Sequence, residues 1–166
     1  PAAIDETPQK GELPSLLAER LARAKAQEVS KSHRDSWILA ADTVVACGRR
    51  ILGKAENEDQ ARQFLSLLSG RRHKVFGGIA LETPDGLIRS RLVTTNVQFK
   101  RLSEQEISTY VSAGEWKGKA GAYGIQGMAE AYIKFISGSY SNVVGLSLYD
   151  TMQLMNGTGY FHPEER

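Results

Sequence analysis

The chain has 166 residues, 41% hydrophobic and 24% charged, a composition that excludes a disordered tail and leaves room for one domain or for two lobes sharing one sheet. Lys and Arg number 21 against 19 Asp and Glu; the net charge of +2 excludes nucleic-acid binding by bulk charge and leaves only local basic clusters. One cysteine, Cys47, and three scattered histidines, His33, His73 and His162, exclude a disulfide framework, a cysteine-based zinc site and a histidine metal cluster.

No apolar run reaches the roughly 18 residues of a bilayer span, and the first residues carry no basic-then-apolar pattern. The expectation is a cytoplasmic protein with no membrane partner. Residues 1–13, with Pro1, Pro8, Gly11 and the acidic pair Asp5-Glu6, read as loop. Pro14 suits the first turn of a helix, and Leu17, Leu21 and Ala24 carry it at helical spacing to about residue 30. The apolar run 37–41 predicts a short strand buried on both faces, ending at Asp42-Thr43 and resuming over 44–46. A turn at 47–50 and a short return strand at 51–54 follow.

Asn57 and Gln60 form a capping-box pattern for a helix bearing Ala61, Phe64, Leu65 and Leu68, stopped by Gly70. Residues 74–83 read as a strand, Pro84-Asp85-Gly86 as a turn, and 92–99 as an alternating strand. Ser103 and Glu106 cap a helix with Ile107, Tyr110 and Val111 on one face, ended by Gly114. Residues 114–127 are Gly-rich and irregular. A strand at 132–136, a loop at 138–145 and a helix at 146–156 complete a single mixed α/β domain, a sheet with helices packed on it.

Asp42 stands where an apolar strand ends, the place where α/β proteins put ligands; the alternative is a carboxylate capping its own turn. Asp5-Glu6 reads alone as a solvated acidic pair. Lys25, Lys54 and Lys119 lie in separate segments. Joined to one or two carboxylates they would suit a polyphosphate and its Mg²⁺, since carboxylates hold the hard cation and ammonium groups neutralise phosphate oxygens. The run 118–127, GKAGAYGIQG, allows close backbone approach to a ligand but matches neither a Walker loop nor a dinucleotide fingerprint; the alternative is a flexible crossing loop. The basic run Arg71-Arg72-His73-Lys74 is explained as well by a helix end as by nucleic acid.

Together the segments GELPSLLAERLARAKA, ILAADTVVACGRRILGKA, ARQFLSLLSGRRHKV, EISTYVSAGEWKGKAGAYGIQG and ISGSYSNVVGLSLYDT resemble the Maf (septum-formation-inhibitor-like) nucleotide pyrophosphatases. The resemblance runs from about Gly11 to about Thr151. It implies an elongated mixed sheet flanked by helices, of the Maf and inosine-triphosphatase-like type, with a cleft between two lobes. It also implies hydrolysis of nucleoside triphosphates to the monophosphate and pyrophosphate with a divalent metal, Mg²⁺ or Mn²⁺, and a homodimer.

Residue by residue, the resemblance assigns Asp42 and Thr43 to the catalytic centre and matches Lys25, Lys54, Glu6 and Gln126 to family positions. The mechanism expected from these residues adds Gln126 to the catalytic set, gives Lys25, Lys54, Lys119 and Gly124 to the substrate, and has Asp42 with Glu6 hold the metal. The KAGAYGIQG loop is similar to that of the branch acting on dTTP and UTP, and its amides are expected to close over the pyrimidine. Family members open with a strand and a Ser-x-Ser-Pro-Arg-Arg segment, which residues 1–166 do not contain. This raises the alternative of a nucleotide-binding or regulatory protein, linked to cell division, with impaired turnover. Ala55 and Ser147 stand where the family often has proline, changes expected to be tolerated.

Overall fold

The computed structural model describes residues 3–161; Pro1, Ala2 and residues 162–166, His162 among them, lie outside the described residues. Helix α1 (Pro14–Ser30) starts with Pro14 at a first-turn position, where a missing N–H costs no intrahelical bond. Ala18, Ala22 and Ala26 recur every four residues and are wholly buried. This stripe presents nothing larger than a methyl group, so the helix axis can come close to the sheet beneath.

The sheet contains β1 (Ile38–Cys47), β2 (Arg50–Leu52), β3 (Arg72–Glu82), β4 (Ile88–Phe99) and β5 (Ile133–Ser137), in the order β2-β1-β3-β4-β5. Every pairing among the described residues is antiparallel. Helices α2 (Glu58–Leu68), α3 (Glu104–Ala113), α4 (Tyr140–Val144) and α5 (Leu148–Gly157) complete the α/β fold. The PDG turn joins β3 to β4, with Gly86 at φ 84° and its N–H donating to Thr83 O at 2.9 Å. Helix α3 has a complete capping box between Ser103 and Glu106. At α2 the box is half made: Asn57 Oδ1 accepts from Gln60 N–H at 2.9 Å, whereas Gln60 Oε1 accepts from Glu56 N–H.

Three local expectations are corrected. The strand does not end at Asp42-Thr43: β1 runs through both, pairing Asp42 with Gly78 and Thr43 with Gly77. Backbone ladder bonds are indifferent to a polar side chain, so the break in the apolar run did not break the strand. Asp42 is therefore neither at a carboxyl-terminal strand end nor a turn cap, and Leu39, 41% exposed, shows that the start of β1 is not buried on both faces. The segment 138–145 is not all loop. It holds α4, capped by Ser139, whose Oγ accepts from Asn142 N–H at 3.1 Å; five residues are too few to show a helical period. Helix α5 starts at Leu148, later than residue 146, because Ser147 caps it by accepting from Asp150 N–H and donating to Asp150 Oδ2 at 2.7 Å.

Strand alternation sends Asp42, Val44, Phe76, Gly78 and Leu92 to the α1 face, and Thr43, Val45, Val75, Gly77 and Val97 to the other. The second face carries the main core, where Phe64 and Leu65 of α2 meet Val75, Val97, Phe99 and Tyr110. The adjacent glycines of β3 serve one face each. A Cβ on Gly78 would lie 2.1 Å from the Ala18 carbonyl oxygen, and one on Gly77 would lie 1.9 Å from Asn142 Oδ1. Their missing side chains admit α1 and α4 to the strand on which Asp42 and Thr43 are paired. Strand β2 covers only Val45 to Cys47 of β1, so residues 38–44 have no strand partner on that side among the described residues.

Candidate active site

A cavity of about 940 Å³ opens at this uncovered edge of β1. It is bounded by β1, by Glu6 and α1, by Lys54 after β2, and by the 114–127 loop. Its volume falls at the upper end of the range for small-molecule sites. Asp42, Thr43, Glu6, Lys54, Lys119, Gly124 and Gln126 all line it. Asp42 and Thr43 point to opposite faces of the sheet, and both reach the cavity because it wraps around the strand edge between them.

Lys25 stands behind the wall. Its ammonium lies 2.5 Å from Asp42 Oδ1 and 2.8 Å from Glu6 Oε1, joining α1, β1 and the N-terminal segment. The Asp42 side chain is 10% exposed. Burial pushes its carboxyl above the ordinary value, a rise that the Lys25 hydrogen bond offsets in part. Burial also weighs against the charge of Lys25, but the bonds to Asp42 and Glu6 together outweigh it and raise its pKa. The Lys25 hydrogen bond lowers that of Glu6. Oδ2 of Asp42 accepts no hydrogen bond among the described residues.

The opposite wall is built differently. Residues 114–127 are not a flexible crossing loop. Gly121 N–H donates to the carbonyls of Leu52 and Gly53 at 2.9 and 3.0 Å, and Lys54 bridges to Ala120. Gly124 N–H donates to Tyr110 Oη at 3.3 Å. Tyr110, Tyr123 and Phe99 lie behind the loop, and burial raises both tyrosines, Tyr110 to about 12. His73 Nε2 meets Tyr123 Oη at 2.7 Å, while burial holds the imidazole down to about 4. The amides of Lys119, Gly121, Ala122, Gly124 and Gly127 are all spent on bonds within the protein. These are five of the ten amides of the 118–127 run, so half of those expected to face a base are already committed.

The sequence reading passed over Glu115 and Lys117, which also line the cavity. Glu115 Oε2 accepts from Met128 N–H at 2.8 Å and lies where a Cβ on Gly127 would be, 2.1 Å away. The only available signal was its place directly after Gly114, the C-cap of α3 at φ 75°. The basic residues Arg71 and Arg72 lie outside this cavity.

Glu6 and Asp42 converge on one cation, the Lys25 ammonium. Two hard carboxylates beside an open cavity fit a Mg²⁺ that arrives with phosphate oxygens and keeps several waters. They do not form a dedicated protein cage, and no group of three or more His, Cys, Asp or Glu converges among the described residues.

The family model for Maf-like proteins matches residues 1–158. The chain belongs to the Maf-like family. Among its relatives, a dTTP/UTP pyrophosphatase of Paramagnetospirillum magneticum is 62% identical over 160 residues, spanning 96% of this chain and 84% of the relative. A dTTP/UTP pyrophosphatase of Rhodopseudomonas palustris strain HaA2 is 56% identical, spanning 96% and 80%. One from Rhodospirillum rubrum is 55% identical, spanning 96% and 76%. The five-stranded sheet flanked by helices is the architecture expected from the family resemblance. No helix of the described residues is long and apolar enough to cross a membrane.

Proposed function

We propose that the chain hydrolyses dTTP and UTP, from the cytoplasmic nucleotide pool, to the nucleoside monophosphate and pyrophosphate. The observation that carries this is the gathering of Asp42, Glu6 and Lys54 on one nucleotide-sized cavity, with Lys25 bonded to both carboxylates behind its wall. The relatives' names supply the substrate class. In the reaction a water oxygen bonds to the α-phosphorus, and the bond from that phosphorus to the α,β-bridging oxygen breaks. Pyrophosphate leaves with the bridging oxygen. Asp42 orients the water and takes its proton, a role suited to a carboxyl raised by burial. Lys54 and Lys25 neutralise phosphate charge, with Lys119 at the cavity rim. Thr43 donates its hydroxyl, Gln126 positions a phosphate oxygen or water, and the backbone at Gly124 lies against the nucleoside.

The metal belonging to this reading, Mg²⁺ or Mn²⁺, would be held by Asp42 and Glu6 with phosphate oxygens and would draw charge from the leaving pyrophosphate. We further propose a homodimer. Leu146 and Met155 pack inward, whereas Leu148 and Met152 are 62% and 46% exposed, as are Tyr140 and Val144 of α4 to a similar degree. Light scattering at micromolar concentration is expected to give twice the chain mass. The catalytic reading is tested by chromatography of products from UTP and dTTP with Mg²⁺. Monophosphate with pyrophosphate is expected; diphosphate with orthophosphate would overturn attack at the α-phosphorus.

A further inference from the structure

Half of the amides of the 118–127 run are committed within the protein, so side chains share in recognising the base, and one carboxylate on this wall remains available. Glu115 Oε2 holds Met128 N–H at 2.8 Å, while no hydrogen bond to Oε1 occurs among the described residues. The side chain is exposed, packs against Gly127 and lines the cavity, whose wall also carries two lysines of the same loop, Lys117 and Lys119. The other two carboxylates on the cavity wall in this region of the fold, Asp42 and Glu6, are both tied to Lys25. Among the described residues Glu115 belongs to no ion pair.

An acceptor accompanied on one loop by cationic donors is the complement of a particular hydrogen-bonding edge. Uracil and thymine present an acceptor, a donor and an acceptor: O2, N3–H and O4. Cytosine presents O2, an N3 lone pair and an N4 amino group. A carboxylate facing N3 gains a charge-assisted bond with the first pair of bases and meets a lone pair in the third. Such a pairing discriminates by repulsion as well as by attraction. A 5-methyl group lies off this edge, so thymine and uracil are read alike.

We infer that Glu115 is the residue that selects imide pyrimidines, accepting N3–H of uracil or thymine through Oε1 and rejecting cytosine, with Lys117 and Lys119 serving the carbonyl oxygens. The inference rests on the nucleotide reading of this cavity and names how its base is chosen. Loop position alone explains the Met128 bond, but not why a charged side chain with a spare oxygen lines the cavity.

The test compares the wild-type chain with Glu115→Gln, whose amide oxygen still accepts Met128 N–H while its amino group donates toward the base. Calorimetric titration with the α,β-methylene analogues of UTP and CTP measures binding without turnover, and a thermal melt confirms the fold. Wild type is expected to prefer the uridine analogue, and the variant to lose roughly 10- to 100-fold of that preference, the scale of one charge-assisted hydrogen bond. Preference unchanged in a folded Glu115→Gln, or no preference in the wild type, overturns the inference. Binding preference as expected with no release of pyrophosphate from UTP would sink the hydrolase reading while leaving the base-selecting role standing.

Discussion

The two walls of the cavity solve opposite problems. On the β1–α1 wall Asp42 and Lys25 are largely buried and tied to each other and to the more exposed Glu6, with Lys25 between the two carboxylates. On the loop wall the backbone is tied down, and the charged groups Glu115, Lys117 and Lys119 stand exposed. Burial of the first set raises the Asp42 carboxyl and strengthens every interaction with transferred charge. Exposure of the second leaves side chains free to meet different ligands while a rigid backbone holds their positions. The difference teaches that the two walls are held in different ways: one is organised through side-chain pairs, the other through main-chain bonds.

The largest break in this comparison comes from Asp42→Asn, which keeps shape and removes charge. Pyrophosphate release is expected to fall by about 100-fold or more, with the fold intact, on the scale for removing such a catalytic group. Near-normal turnover in the variant, with Mg²⁺ present, would reduce Asp42 to a strand residue that happens to face a cavity.

Behind the loop wall the sharpest probe is pH. Burial holds folded His73 at about 4, whereas an unfolded histidine titrates near ~6.5. Between those values the unfolded chain takes up the proton and the folded one does not, so stability rises with pH across the window and this contribution is flat above it. Acidification from pH 7 to 4 is expected to remove on the order of 3 kcal/mol through this group. His73→Gln, which keeps a partner for Tyr123 Oη, should flatten that part of the profile in urea denaturation at several pH values. An equally steep profile in the variant would assign the acid sensitivity to other groups.

The smallest change is steric and acts on the first wall alone. Gly78→Ala places a methyl group against the Ala18 carbonyl, at 2.1 Å before any adjustment, and must lift α1 or bend β3. Overpacking of this kind costs about 1–3 kcal/mol, expected as a lowered thermal midpoint. Because Lys25 rides on α1, turnover should fall beyond what the lost stability explains at a temperature where both proteins are folded. Unchanged turnover there would show that the Lys25–Asp42 contact does not depend on the close approach.

The sequence alone determined the parts governed by short-range chemistry. Pro14, Ser103 with Glu106, Asn57, Pro84-Asp85-Gly86 and Gly114 act through the few backbone N–H and C=O groups next to them, so their meaning is local and their elements were legible. Resemblance supplied the site residues, of which Asp42, Thr43, Glu6, Lys54, Lys119, Gly124 and Gln126 do line one cavity. Tertiary structure decided what depends on neighbours distant in the chain. Asp42 sits mid-strand because Gly78 pairs with it, and Lys25 meets it across 17 positions because an alanine stripe and a glycine let α1 descend. The Gly-rich loop is tied to the fold because Leu52, Gly53 and Tyr110 accept from its Gly121 and Gly124 amides, and the Glu115 carboxylate fits only where Gly127 leaves space for it. Caps and turns are encoded within a few residues of themselves; close approaches and shared hydrogen bonds are properties of pairs that only the folded chain brings together.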